Sequence, residues 1–167
     1  YIIYLTFLSA WMTAQSINAE MITAIWLVLG FFICISPFIW RSIFAKFGNG
    51  IPLSMILISI SIGSVTPLLS PSFFILLFSA VIFGSSVFMA PGAITNFTRR
   101  NLPQEMWAYS ISVFTVIFAI SQTLGPYIAG LIGDYFDDIG MGLFASFIIL
   151  ILGALISFSQ KELTKHN

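Results

Sequence analysis

Residues 47–98 contain no Asp, Glu, Lys, Arg or His. The run is interrupted only near its middle, by Thr66-Pro67-Leu68-Leu69-Ser70-Pro71. A soluble domain cannot bury so much uncharged, mostly apolar chain, whereas about 20 apolar residues in a helix span the roughly 30 Å core of a lipid bilayer. The run is long enough for two membrane crossings joined by a proline-marked turn, which indicates a polytopic membrane protein.

The composition agrees with a lipid environment. Hydrophobic residues make up 59% of the chain and charged residues 7%, whereas about 25% of residues are charged in globular proteins. Six basic and six acidic residues give a formal net charge of zero, which argues against nucleic acid as a partner. The single cysteine, Cys34, lies in an apolar run and is interpreted as a small buried apolar residue.

The charged residues divide the sequence into six apolar segments. Helices are the expected spanning form because irregular backbone in lipid leaves polar groups unpaired, and the long apolar runs lack the alternation of barrel strands. The predicted fold class is therefore all-α membrane, a bundle of six transmembrane helices. Because the sequence is already apolar at Tyr1, we expect a fragment whose first helix lacks its beginning. The predicted spans are 1–17, 21–40, 51–69, 72–95, 107–133 and 141–160, followed by a polar tail at 161–167.

Six crossings place all the basic residues on one side of the membrane. The loops at 41–50 and 96–106 and the tail carry these residues, while two of the other three turns are acidic and the third is uncharged. The positive-inside rule makes the basic side cytoplasmic. The chain is therefore predicted to be a multi-pass protein of the plasma (inner) membrane with both ends in the cytoplasm. The basic residues are Arg41, Lys46, Arg99, Arg100, Lys161 and Lys165, and the acidic turns hold Glu20, Asp134, Asp137 and Asp138.

The fifth segment carries a stripe of small residues. Gly125, Ala129 and Gly133 are spaced by four, with Gly130 beside them, and such a face lets helix backbones approach closely in lipid. Pro126 should loosen or kink the helix. Two interpretations remain open and are compatible: the helix slides or bends against a missing half of the protein, or the stripe is simply tightly packed.

Two polar stripes are candidates for lining a cavity. In segment five, Ser112, Thr115, Ala119 and Gln122 share one helical face, and Gln122 either contacts substrate and cavity water or bonds a neighbouring helix. In segment one, aromatic rings with polar groups recur at helical spacing, which suits a cavity for amphipathic molecules or, alternatively, internal packing. This second stripe consists of Tyr1, Tyr4, Leu8, Trp11 and Gln15.

The short loops, the six spans, the cytoplasmic ends and the basic loop between the second and third spans resemble one half of a major facilitator superfamily transporter. The C-terminal half fits better than the N-terminal half. The stretch from Thr98-Arg99-Arg100 to Asp134, with Ser121-Gln122-Thr123-Leu124-Gly125-Pro126, is similar to the bacterial YbfB/YjiJ-like branch. The resemblance implies two inverted three-helix repeats, a preceding six-helix half, and a central cavity lined by segments one and four. Segment four then offers Ser85, Ser86, Phe88 and Met89.

One position departs from the superfamily pattern. The loop after the second helix often reads Gly-x-x-x-Asp-Arg-x-Gly, and here Lys46 and Gly48 match its Arg and last Gly, while Ala45 replaces the carboxylate. The resemblance therefore does not supply a salt-bridged cytoplasmic gate in this half. The pair Arg99 and Arg100 is interpreted as a topology anchor or, alternatively, as a gate or anionic-lipid contact.

The predicted spans hold no carboxylate, Lys, Arg or His. Proton relays normally use such groups, so this half is not expected to carry proton coupling or a counter-charge for a strongly charged substrate. No residues have metal-ligand spacing, and no cofactor or enzyme activity is predicted. We expect a secondary transporter of a small, uncharged or amphipathic organic molecule. The alternative is a six-helix membrane protein with a structural or assembly role, or a non-functional fragment.

Overall fold

A computed structural model describes residues 1–163, and these form an all-helical bundle with no strand among them. Five stretches are long and apolar enough to cross a membrane, namely 19–46, 51–69, 73–101, 104–136 and 139–158, and the first helix is a shorter apolar one. The all-α membrane fold predicted from the sequence is confirmed. The helices are α1 (Ile2–Ala14), α2 (Ala19–Lys46), α3 (Ile51–Val65), α4 (Phe73–Gly84), α5 (Met89–Asn101), α6 (Trp107–Phe136) and α7 (Ile139–Phe158), with 3₁₀ turns at Thr66–Leu69 and Gln104–Met106.

Several helices extend beyond the apolar runs that predicted them. The second helix continues to Lys46, and Arg99 and Arg100 lie in the last turn of α5, so the prediction that these basic residues lie in loops is wrong. Helical hydrogen bonding continues past the apolar run, since long basic side chains reach water from a helix end and complement its negative dipole there. Cys34 is exposed on α2, contrary to the expected burial. The part of the predicted tail that holds Lys165 and His166 lies outside the described residues.

The fourth segment, predicted as one helix over 72–95, is two helices. A turn at residues 85–88 separates α4 from α5. The indole N–H of Trp40 donates to the Ser85 carbonyl at 2.7 Å, and the Ser86 hydroxyl donates to Ser59 Oγ at 2.8 Å. Neighbouring helices therefore satisfy polar groups at the break, which is the condition for non-helical backbone at membrane depth.

Several helix contacts match the pattern that two inverted repeats produce, although the α6–α7 contact has no comparable α2–α3 counterpart among the described helices. The contact of α3 with α7 joins the third helices of the two triplets. The α2–α4 and α6–α1 contacts are equivalent across the repeats, and so are the α3–α4 and α7–α1 contacts. The buried core between them contains Tyr4, Leu8, Met12, Ile25, Ile56 and Phe83.

The basic residues gather at one end of the bundle, called the basic end, where the last described residues are bonded to the loop after α2. The Gly50 N–H donates to the Gln160 carbonyl at 3.0 Å. Buried Asn101 donates through Nδ2 to the Gly48 carbonyl and accepts through Oδ1 from the Leu163 N–H, both at 2.6 Å. One side chain thus joins the end of α5 to two other parts of the chain.

Replacing Asn101 by alanine is expected to lower the free energy of unfolding by about 1–3 kcal/mol, because a buried carbonyl and a partly buried N–H lose their partner. Thermal unfolding of the purified full-length protein in detergent micelles measures the change. The matched control is Asn96→Ala, since Asn96 makes only long bonds of 3.3 and 3.4 Å to two carbonyls. Equal losses from both variants would contradict the role given to Asn101.

Candidate functional site

Three helical segments bring four side chains together on an open side of the bundle. The Tyr1 ring stacks on Phe118, with centroids 5.6 Å apart, and meets Phe88 edge-on at 6.1 Å. The Gln122 amide Nε2 donates to the Tyr1 hydroxyl. We call Tyr1, Phe88, Phe118 and Gln122 the mid-depth cluster. It combines aromatic faces with one amide and one hydroxyl.

The cluster lies near the middle of the membrane-spanning length. Gln122 is halfway along α6, and Phe88 is in the turn midway between the start of α4 and the end of α5. Tyr1 is at the far end of α1 from the turn that joins α1 to α2. At 1.5 Å per residue, each is about 20 Å along its helix from the end of the bundle that carries the acidic turns, called the acidic end.

The bundle contains cavities of about 390, 210 and 470 Å³ at three different places. The cavity of about 210 Å³ adjoins the mid-depth cluster. It lies between α5 and α6 and shares Phe118 with the cluster. Its surface is apolar except for two threonines. The lining residues are Pro91, Ile94, Thr95, Ile111, Phe114, Thr115 and Phe118.

Some of the residues predicted to line the cavity lie elsewhere. Tyr4 is fully buried inside the bundle, where its hydroxyl bonds Ser79 Oγ at 2.7 Å and its ring stacks on Phe83 at 3.8 Å. Trp11 and Gln15 lie at the acidic end. Ser85 occupies the turn between α4 and α5, where its hydroxyl bonds the Ile82 carbonyl at 2.8 Å.

Of the predicted set, Tyr1, Phe88 and Gln122 meet in the cluster, and Thr115 lines the neighbouring cavity. Sequence reasoning missed Phe118. The available signal was its spacing of four residues from Gln122, which places both side chains on one helical face.

The small-residue stripe of α6 faces the inside of this bundle. A Cβ on Gly125 would lie 3.6 Å from Ile3, and one on Gly130 would lie 3.7 Å from Phe7, both on α1. The Ala129 carbonyl lies 3.1 Å from the position of a Cβ on Gly142 of α7. Gly133 meets the turn into α7. The stripe therefore packs α6 against α1 and α7, as in the tight-packing interpretation, and α6 continues as one helix through Pro126.

The opposite face of α6 is exposed along its length. Ala129, on the stripe, is the one buried residue of the whole helix, all of which is described. The hydroxyls of Ser112, Thr115 and Ser121 each donate to the carbonyl four residues earlier at 2.8 Å, and Thr123 does so at 3.2 Å. These hydroxyls are satisfied within their own helix.

The predicted gate residues make contacts other than salt bridges. Arg100 donates through Nη2 to the Ala45 carbonyl at 2.6 Å, at the position where the superfamily pattern has a carboxylate. Lys46 lies 5.3 Å from the centroid of the Phe47 ring, and Arg99 lies 5.5 Å from that of Trp107, both within cation–π range. Arg41 is exposed near the end of α2.

The long apolar helices and the all-helical bundle define a multi-pass membrane protein. The family described as "Uncharacterised MFS-type transporter YbfB" matches residues 1–158, so the chain belongs to this family of major facilitator superfamily transporters. The resemblance to the YbfB-like branch of the superfamily inferred from the sequence is thereby confirmed, and the chain is of the membrane-transporter class. No curated protein and no solved structure matches the chain.

Proposed function

We propose that this chain is the C-terminal half of a secondary transporter, and that its substrate binds at the mid-depth cluster. The observation that carries the proposal is the meeting of Tyr1, Phe88, Phe118 and Gln122 at mid-membrane depth. Secondary transporters of this superfamily bind substrate near the bilayer midplane, between two bundles that rock to expose it to each side in turn.

The chemistry of the cluster selects the cargo class. Aromatic faces bind apolar surface, while the amide and hydroxyl supply a few directional hydrogen bonds. The cluster and the adjoining cavity hold no charged side chain. The proposed substrate is a small organic molecule that is uncharged or amphipathic.

The exposed faces of two helices support a partner bundle. Most of α6 and α2 is unburied, although both are apolar and long enough to span the membrane. In the proposed arrangement these faces contact a preceding six-helix half, and the cluster lies between the two halves. The basic end faces the cytoplasm, in the plasma (inner) membrane. The last described residues lie at this end, and α1 starts at mid-depth with Tyr1 on the side toward it.

Alternating access predicts that a cysteine at position 115 reacts with a membrane-impermeant maleimide from both sides of the membrane. The full-length protein carries Thr115→Cys in a background without native cysteines, including Cys34→Ala. Labelling is measured in intact cells and in inverted membrane vesicles. We expect most of the protein to react in each preparation, because thiols react as thiolates in water and not in lipid.

The matched control is Leu152→Cys on α7, whose side chain is exposed on the outside of the bundle at 54%. It is expected to face lipid and to remain unlabelled from both sides. Labelling of Thr115→Cys from neither side, or from one side only, would contradict alternating access at this position and favour a structural role.

A further inference from the structure

The two larger cavities meet at Trp11 near the acidic end, about 15 Å along α1 from the mid-depth cluster. The one of about 390 Å³ lies between α1, α6 and α7, and the one of about 470 Å³ extends to the turn at 68–71. Trp11, Gln15 and Asp138 line both cavities, and Asp134 and Asp137 line the first. Acidic residues alone do not make a site, so the other side chains decide what the cavities can hold.

Trp11 is a buried side chain whose donor has no acceptor among the described residues. Only 5% of its surface is exposed, and its indole N–H has no hydrogen-bond partner among residues 1–163. Nε1 lies 3.3 Å from the position of a Cβ on Gly140, and both residues line the larger cavity. Nε1 is not among the fully buried unpaired polar atoms of the described residues, so it is accessible from that cavity. The three other tryptophans each donate to an acceptor at 2.7–2.9 Å, namely Trp26, Trp40 and Trp107. The indole N–H groups of buried tryptophans usually have a partner, so the acceptor for Trp11 lies within the cavity and is either water or a ligand.

The carboxylates beside Trp11 are electrostatically uncompensated. Asp134 and Asp137 are at the C-terminus of α6, where the helix dipole favours a cation. The cationic side chains of the described residues, Arg41, Lys46, Arg99, Arg100 and Lys161, belong to the basic end. Asp138 uses Oδ1 to cap α7 through the Gly140 N–H at 2.8 Å. Within residues 1–163 the carboxylates do not converge into a group that could hold a metal ion.

We propose that this acidic-end cavity binds a small organic cation that carries a hydrogen-bond acceptor, such as a hydroxylated amine. The cationic group lies near Asp134 and Asp137. The acceptor oxygen takes the Trp11 N–H, and the methylene groups pack on the rings of Trp11 and Phe7, which also favour a cation over their faces. The site is separate from the mid-depth cluster, and its cation differs from the uncharged or amphipathic cargo proposed there.

The test is calorimetric titration of choline into the full-length protein in detergent micelles. Choline combines a quaternary ammonium with a hydroxyl, and 3,3-dimethyl-1-butanol is its neutral isostere. We expect choline to bind at least about tenfold more tightly than the isostere, because the carboxylates attract only the cation. The readout is binding, so it is independent of transport and of the mid-depth cluster.

Two sets of variants locate the bound cation. Asp134→Asn with Asp137→Asn is expected to weaken choline binding about tenfold. Asparagine also suits the left-handed backbone of position 137, where φ is 52°. Trp11→Phe keeps the ring and removes the N–H, with an expected loss of about fivefold. Glu20→Gln, an exposed acidic residue of the same end that does not line either cavity, should leave binding unchanged.

Three outcomes would overturn the proposal: no choline binding, equal binding of the neutral isostere, or binding that survives the double Asp variant. Binding that is lost in Gln122→Ala but kept in the double Asp variant would place the cation at the mid-depth cluster, and this also overturns it. The Asp side chains are exposed, so these substitutions test the site even if Trp11→Phe does not fold.

Discussion

Replacing Gly84 by alanine is expected to separate α4 from α2 and to destabilise the bundle by about 1–3 kcal/mol. A Cβ at this position would lie 2.6 Å from the backbone carbonyl oxygen of Leu29 and 3.2 Å from Phe32 Cβ. A carbonyl in a helix cannot rotate out of the way, so the helix as a whole must move. Thermal unfolding of the purified full-length protein in detergent micelles measures the effect.

Gly63→Ala should have a similar effect on the other side of α4. Its Cβ would lie 2.8 Å from Phe83 Cβ and 2.9 Å from the Phe83 backbone nitrogen. The adjacent residues Phe83 and Gly84 thus fix α4 between two neighbouring helices.

Gly30→Ala is the matched control, since nothing lies within 4 Å of its Cβ. Alanine favours a helix over glycine by about 0.5–1 kcal/mol, so this variant should unfold at the same or a slightly higher temperature. Equal destabilisation by all three substitutions would refute the close-approach argument.

Replacing Tyr4 by alanine is expected to cost about 3–5 kcal/mol of stability, because the change empties a fully buried site beside Phe83. Tyr4→Phe should cost only about 1 kcal/mol. The Ser79 hydroxyl then still donates to the Gly63 carbonyl at 2.7 Å. Both values come from unfolding measurements on the full-length protein.

The contrast between the two substitutions separates packing from substrate contact. If Tyr4 acts through packing, folded protein that carries both Tyr4→Phe and Thr115→Cys should still be labelled at position 115 from both sides of the membrane. A Tyr4→Phe protein with unchanged thermal stability but altered labelling would show that the hydroxyl serves the cavity, as the sequence-based hypothesis allowed.

The all-helical membrane fold, with apolar segments separated by polar turns, could be predicted because charges are costly in lipid and therefore mark the places where the chain leaves it. The ends could not, because hydrogen bonding carries a helix such as α2 past the last apolar residue to Lys46. The break at residues 85–88 depends on Trp40 and Ser59, which are remote in sequence. The only local indication of this helix break in the sequence is Gly84-Ser85-Ser86.

The candidate site was predicted only in part for a reason specific to membranes. Lipid is as apolar as a protein interior, so polarity does not distinguish the buried face of a helix from the outer one. The stripe in segment one therefore gave the spacing of Tyr1, Tyr4 and Trp11 but not their surroundings. The structure places Tyr1 against Phe118, Tyr4 in the core and Trp11 at the acidic end.

The hydroxyls of α6 have a consequence for motion. Ser112, Thr115, Ser121 and Thr123 are each bonded to a carbonyl of their own helix. Because these four hydroxyls are paired within α6, the helix can exchange one neighbour for another without leaving any of the four donors unpaired. The resistance to such an exchange comes from many weak dispersion contacts, which break and reform gradually. The surface of α6 therefore offers little resistance to sliding along a neighbouring helix.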